Sequence, residues 1–173
     1  MEILLLLTNI IVHGFISAVI FTGFLLFVMI TFSPRVWAYS DYPEAIKENV
    51  PPQTRREKKI AAILVIPFFI LLLFPLISSL LLKNQLGGEI SLITAFLNTF
   101  GVIMFANIAD LVILDWLIVG TITPQFVILP GTEHMKDKEY KDFRRSHAKG
   151  HLVVGTPLMV IFSLIIAIIV VIL

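Results

Sequence analysis

Cysteine is absent from this 173-residue chain, which excludes disulfides, thiolate metal sites and cysteine nucleophiles. Charge is scarce as well, at 14% of residues against 58% hydrophobic, with a mean hydropathy of +0.97. A water-facing shell needs far more charge than that, so the composition excludes an ordinary soluble domain. The formal net charge is only +1, and without concentrated positive charge there is no reason to expect a nucleic-acid partner. The sequence also lacks a P-loop, a Rossmann fingerprint, the repeated histidine boxes of a membrane di-iron oxygenase and a G-x-S-x-G motif. Nucleotide binding, di-iron oxygenation and nucleophile-elbow hydrolysis are therefore without sequence support.

What the chain has is long apolar runs. Residues 3–32, 60–82, 90–118 and 152–173 contain no Lys or Arg, and each reaches the ~20 helical residues that cross a hydrocarbon core of roughly 30 Å. Continuous runs such as LLLL at 4–7 fit helices and not the alternating strands of a barrel. The expected fold is all-α, a four-helix transmembrane bundle forming a single integral membrane domain. The first run opens on Glu2 and is followed by no small-residue cleavage pattern, so it reads as a retained span and not a signal peptide. Pro67, Pro75 and Pro157 are candidate kinks.

Orientation follows from the basic residues. The connection 33–59 holds Arg35, Lys47, Arg55, Arg56, Lys58 and Lys59, and 119–151 holds Lys136, Lys138, Lys141, Arg144, Arg145 and Lys149, whereas the remaining connection has only Lys83. Lys and Arg accumulate on the cytoplasmic side, so both long loops are expected inside and both termini outside, in a multi-pass protein of the cell membrane. Trp37, Tyr39, Tyr42 and Trp116 suit an interfacial belt on that inner side. The bilayer is the expected partner, with Arg35, Arg144 and Arg145 placed to meet anionic headgroups or a phosphate. A homo-oligomer or a membrane partner is compatible with the pattern.

Within the loops, Tyr42 to Asn49 can form a short helix between prolines. The apolar stretch 121–130 is expected to lie along the inner interface or to dip into it as a re-entrant stretch shielded by protein. After it, Thr132 is placed to cap a short cytoplasmic helix between spans three and four, with Glu133 in its first turn and i,i+4 pairs at Asp137–Lys141 and Lys138–Asp142.

Candidate functional residues are the polar ones at membrane depth. Span three carries Asn98, Asn107, Asp110 and Asp115, and intramembrane carboxylates mark ligand or proton pathways by default. At 1.5 Å per residue Asp110 lies about 9 Å and Asp115 about 16 Å from the middle of the span, toward the cytoplasm. In an α-helix the two are separated by about 140°, so they cannot both face one small ion unless the helix is distorted. Asn107, Asp110 and Asp115 form the expected ligand or proton pathway. The bland alternative is hydrogen-bonded packing, with Asp115 pinning the interface. His13 shares a face with Asn9 and Ser17 and is expected to bond Asn98 or Ser17. In RRSHAKGH, residues 144–151, His147 and His151 have the i,i+4 spacing that puts two imidazoles on one helix face, as a divalent metal site requires. Two histidines do not complete a coordination shell, so Asp110, Asp115, Glu133 or His134 must be gathered by the fold to supply the rest. Simple interfacial histidines are the competing reading.

The stretch DLVILDWLIVGTITPQFVILPGTE, residues 110–133, with the following His147 and His151 region, resembles small four-span prokaryotic integral membrane proteins of uncharacterised function. The resemblance covers the C-terminal third to half of the chain and implies membrane insertion, with no activity to carry over. Three functions stay open. One is a small-solute or ion transport or ligand-binding component with a cytoplasm-facing polar site. Another is an interfacial lipid-modifying enzyme that uses His147 or His151 with Arg144 or Arg145. The third is a structural or regulatory membrane subunit.

Overall fold

The computed structural model describes residues 2–173, with all side chains outside 142–146. Every regular element among the described residues is helical. Four helices are long and apolar enough to cross a membrane: Glu2–Thr31, Arg55–Gln85, Leu92–Ile122 and His147–Ile172. Ile3, Phe15, Ile66, Ile93 and Leu158 on their outer faces are each more than half exposed, a surface compatible with hydrocarbon and poorly suited to water.

The first long helix is α1 (Glu2–Thr31), followed by two short helices, α2 (Pro34–Trp37) and α3 (Glu44–Lys47). The second is in two pieces, α4 (Arg55–Leu71) and α5 (Phe74–Gln85). The third starts as α6 (Leu92–Ala109) and continues as a π-helix, π1 (Asp110–Ile122). The fourth is one run of α7 (Glu139–Lys149), π2 (Gly150–Gly155) and α8 (Thr156–Ile172). Gly87 and Gly88 take positive φ values of 91° and 95° in the tight turn from α5 to α6, a conformation that only glycine adopts without strain.

The region before the fourth helix differs from expectation. Thr132 does not cap a helix: its hydroxyl donates to Leu129 O at 2.8 Å and meets Tyr140 Oη at 2.7 Å, which leaves a single 3-10 turn at Glu133–Met135. The helix begins instead at Glu139 and runs through Gly150 without a break. Lys141 and Asp137 do pair, at 3.9 Å. The Lys138–Asp142 pairing lies outside the described side chains.

α1 and α6 form the most extensive helix contact, because Gly14 and Gly101 let the backbones approach. A Cβ at Gly14 would stand 2.6 Å from the Phe105 ring, and one at Gly101 would stand 2.8 Å from Ile10. At the end bearing the termini, α1, α5 and α6 share a buried polar network. Asn9 Nδ2 donates to Ser78 Oγ at 2.9 Å and to Asn98 Oδ1 at 2.8 Å, and Asn98 Nδ2 donates to Ser79 Oγ at 2.9 Å. Ser79 in turn bonds Thr99 at 2.9 Å. His13 joins through Ser78 Oγ at 3.0 Å, in place of Asn98 or Ser17.

The second helix breaks where Pro75 offers no N–H to Leu71 and its ring crowds that carbonyl. Leu72 and Leu73 are non-helical turn residues there. The two halves then part company. α5 buries Pro75, Ser78, Ser79 and Leu82 against its neighbours, while α4 buries none of its residues and packs mainly on α2. α4 is held at its start by a capping box, Thr54 with Glu57, and by Arg35. The Arg35 guanidinium donates to Glu57 Oε1 at 2.7 Å and to the carbonyls of Pro51 and Pro52 at 3.0 Å each.

At this charged end the two long connections pack on each other through Tyr42, Ile46, Leu114, Val119, Val127, Leu129 and Tyr140. Tyr42 donates its hydroxyl to Val127 O, and burial pushes the Tyr42 pKa up, so the donor proton stays in place. Leu129 N donates to Tyr140 Oη at 2.7 Å. These bonds bury Val127, Ile128 and Leu129, while Thr121, Ile122, Gln125 and Pro130 of the expected 121–130 stretch stay exposed, and they tie the start of α7 to the buried part through Tyr140. That placement decides where His147 and His151 arrive.

The close α1–α6 approach predicts that Gly14→Ala or Gly101→Ala lowers stability by about 1–3 kcal/mol through overpacking. Gly23→Ala, with nothing within 4 Å of the added carbon, is expected to leave it unchanged or slightly higher. Thermal unfolding followed by circular dichroism in detergent measures the difference.

Candidate functional site

Asp110 and Asp115 sit on π1, whose ladder closes on i+5 where an α-helix closes on i+4. That winding stacks residues five apart on one face, so the distortion needed to bring both carboxylates together is present. The segment ends where Thr123 N donates to Ile118 O at 2.8 Å. Thr123 takes a left-handed φ of 46°, and its hydroxyl returns to Val119 O at 2.8 Å. π-Helical segments are rare and concentrate at functional sites. Both segments of this chain border one cluster, since π2 carries His151.

The i,i+4 spacing of His147 and His151 puts both imidazoles opposite π1, with ring centroids 6.5 Å apart. His147 Nδ1 lies 2.8 Å and His151 Nε2 lies 3.0 Å from the same oxygen, Asp115 Oδ2. Asp110 Oδ2 is 3.8 Å from His151 Nε2. Asn107, one α-helical turn before Asp110, places Oδ1 2.6 Å from His151 Nδ1. A carbonyl oxygen can only accept, so His151 Nδ1 carries a proton. Nε2 lies 3.0 Å from Asp115 Oδ2, and a carboxylate oxygen likewise only accepts, so Nε2 donates there and a bound ion would take the place of that proton. This is the orientation that an outer partner imposes on a metal-binding histidine.

The side chains of Asp115, His147, His151 and Asp110 are 11%, 18%, 19% and 20% exposed, so access is through internal space. A cavity of about 750 Å³ and another of about 570 Å³ both reach Asp110, His147 and His151, and both also touch Asp41 from the connection between α2 and α3. Those spaces exist because α4 stands off the other long helices.

The donor set suits a metal ion. One ligand atom each from Asp115, His147 and His151 lies within 4.8 Å of the others. Around a tetrahedral ion with bonds of 2.0–2.1 Å the ligand atoms stand about 3.3 Å apart. Contacts of 2.8 and 3.0 Å need to open by only a few tenths of an ångström, and Asp110 stands close enough to be a fourth ligand or a base.

The sequence-derived candidates therefore sort clearly. Asn107, Asp110, Asp115, His147 and His151 come together at one place. Glu133 bonds the backbone N–H of Gly131 at 3.0 Å and is absent from the cluster, as is His134. Arg35 is occupied by Glu57 and the Pro51–Pro52 carbonyls, while the side chains of Arg144 and Arg145 lie outside the described residues. Asp41, which also borders both cavities, carries no signal in the sequence, where it is one acid in a charged loop. No family model, curated protein or solved structure matches the chain.

Because Asn107 fixes the His151 tautomer, ¹⁵N-histidine NMR is expected to show His151 protonated at Nδ1. Asn107→Leu should shift its population toward the Nε2–H form. An unchanged tautomer in the variant would remove Asn107 from that role.

Proposed function

We propose that the chain is a four-span integral membrane protein with its charged connections in the cytoplasm, which binds a divalent transition-metal ion at Asp115, His147 and His151 for metal-dependent chemistry at the inner face. The observation that carries this reading is the convergence of two imidazole nitrogens and a carboxylate, supplied by the third and fourth long helices. Imidazole and carboxylate donors with open positions suit zinc or ferrous iron. Such an ion supplies Lewis-acid polarisation of a bound oxygen and lowers the pKa of bound water. Asp110 is the proton acceptor beside it, and Asn107 orients His151.

The arrangement favours catalysis at one face over conduction across the membrane. Polar groups at the opposite end, from Asn9 to Thr99, are buried and bonded to one another, the pattern of residues that glue helices together. Among the described residues, no carboxylate lies in that network. The transport alternative would require a hydrated continuation through it.

Metal analysis tests the site directly. Protein stripped with a chelator and returned to zinc or ferrous iron is expected to bind one ion per chain. His147→Ala, His151→Ala and Asp115→Ala should each weaken binding by roughly 100-fold or more, and Asn107→Ala by about 10–100-fold as an outer partner. At free metal of about 100 Kd the ion should add about 2.7 kcal/mol of stability. Equal binding by wild type and the histidine variants would defeat the proposal.

The absence of cysteine makes the topology separately measurable. Single substitutions Ser40→Cys and Asp137→Cys are expected to react with impermeant maleimide only from the cytoplasmic side, and Glu89→Cys only from the other. Reversed labelling would invert the topology.

A further inference from the structure

The larger cavity has one polar end and a long apolar body. Its wall includes Phe68 and Phe69 from α4, Leu72 from the break in the second helix, and Leu158, Met159 and Phe162 from α8. From His151 to Phe162 along the fourth helix is about 16 Å at 1.5 Å per residue. That is close to one leaflet of a hydrocarbon core of roughly 30 Å. The volume of about 750 Å³ falls within the usual range of small-molecule sites, about 300–1,000 Å³.

Two further observations point to an occupant. Asn107 lines the cavity and is 5% exposed, yet its Nδ2 has no hydrogen-bond partner. A buried donor left unpaired costs about 1–3 kcal/mol, and an acceptor oxygen on a ligand would relieve that cost. The second observation is the stand-off of α4, which buries none of its residues. Its departure leaves the cavity bordered by a helix whose Phe69 is 59% exposed, in the half of the second helix that the proposed topology places in the inner leaflet.

We propose that this cavity takes an acyl chain of an inner-leaflet glycerophospholipid, entering between α4 and α8, with a carbonyl or phosphoryl oxygen at Asn107 Nδ2 beside the Asp110, Asp115, His147 and His151 cluster. The substrate of the proposed metal site is thereby a membrane lipid and not a water-soluble solute, whose polar groups would meet mostly apolar walls. The placement of the head rests on the metal-site reading. The placement of the chain rests on the cavity alone.

The test uses the full chain in nanodiscs containing phosphatidylglycerol with a diazirine near the end of one acyl chain, with photolabelled peptides mapped by mass spectrometry. Labelling is expected to concentrate on 68–72 and 158–162, well above the outward-facing Phe15 and Ile93. Leu72→Trp and Met159→Trp, which fill the cavity from opposite walls, should each reduce that labelling at least fivefold while bound metal stays at one per chain. Labelling no greater than on Phe15 and Ile93, or labelling unaffected by both tryptophans, overturns the inference even if metal binds. Cavity labelling that the tryptophans abolish in protein that binds no metal supports the lipid site and removes the metal reading alone.

Discussion

When the backbone ladder of the third long helix lengthens at Asp110, two carboxylates that α-helical winding would aim about 140° apart come to one face. Asp115 then meets His147 and His151 within 3.0 Å. The fourth helix is matched to this change by its own π segment, Gly150–Gly155, which begins between His147 and His151 and carries the second of them. Looser winding sacrifices good backbone geometry, which is why such segments are rare. The side chains that it repositions are those with chemical capacity.

The rest of the architecture protects that arrangement. At one end, Gly14 and Gly101 draw α1 and α6 together, and the Asn9–Ser78–Asn98 network ties in α5. At the other end, Tyr42 and Tyr140 hold the two long connections against each other and fix the start of α7. Between these ends, Pro75 breaks the second helix and releases α4. The second helix thus parts at Pro75 into α5, packed on the mutually bonded Asn9–Ser78–Asn98 network, and α4, on the side where Asn107 keeps an unused donor and the cluster borders two cavities.

Arg35 shows how a charge can have a local purpose that a count of loop charges does not reveal. As one of the basic residues in its connection it contributes to the orientation argument and to an expected headgroup contact. In the fold its guanidinium donates four hydrogen bonds, two to Glu57 and one each to the Pro51 and Pro52 carbonyls. It anchors the start of α4, the helix that stands away from the bundle. The capping box of Thr54 and Glu57 is local to the chain, whereas Arg35 reaches Glu57 across 22 positions and meets it only through folding.

Sequence by itself determined four apolar helical runs, since apolar run length and scarcity of charge are local properties. It also exposed the intramembrane carboxylates and the histidine pair, because polar residues in such runs are conspicuous and i,i+4 spacing is a helical property. It placed the start of the helix after Thr132 too early, because Thr132 found partners in Leu129 and Tyr140 that are set by folding. Only the tertiary structure decided that Asn107, Asp110, Asp115, His147 and His151 meet, and that Asp41 borders them. Their meeting depends on a change of helical winding and on packing between segments more than 30 residues apart. Neither leaves a periodic trace in the chain, because both are consequences of how whole helices settle against one another.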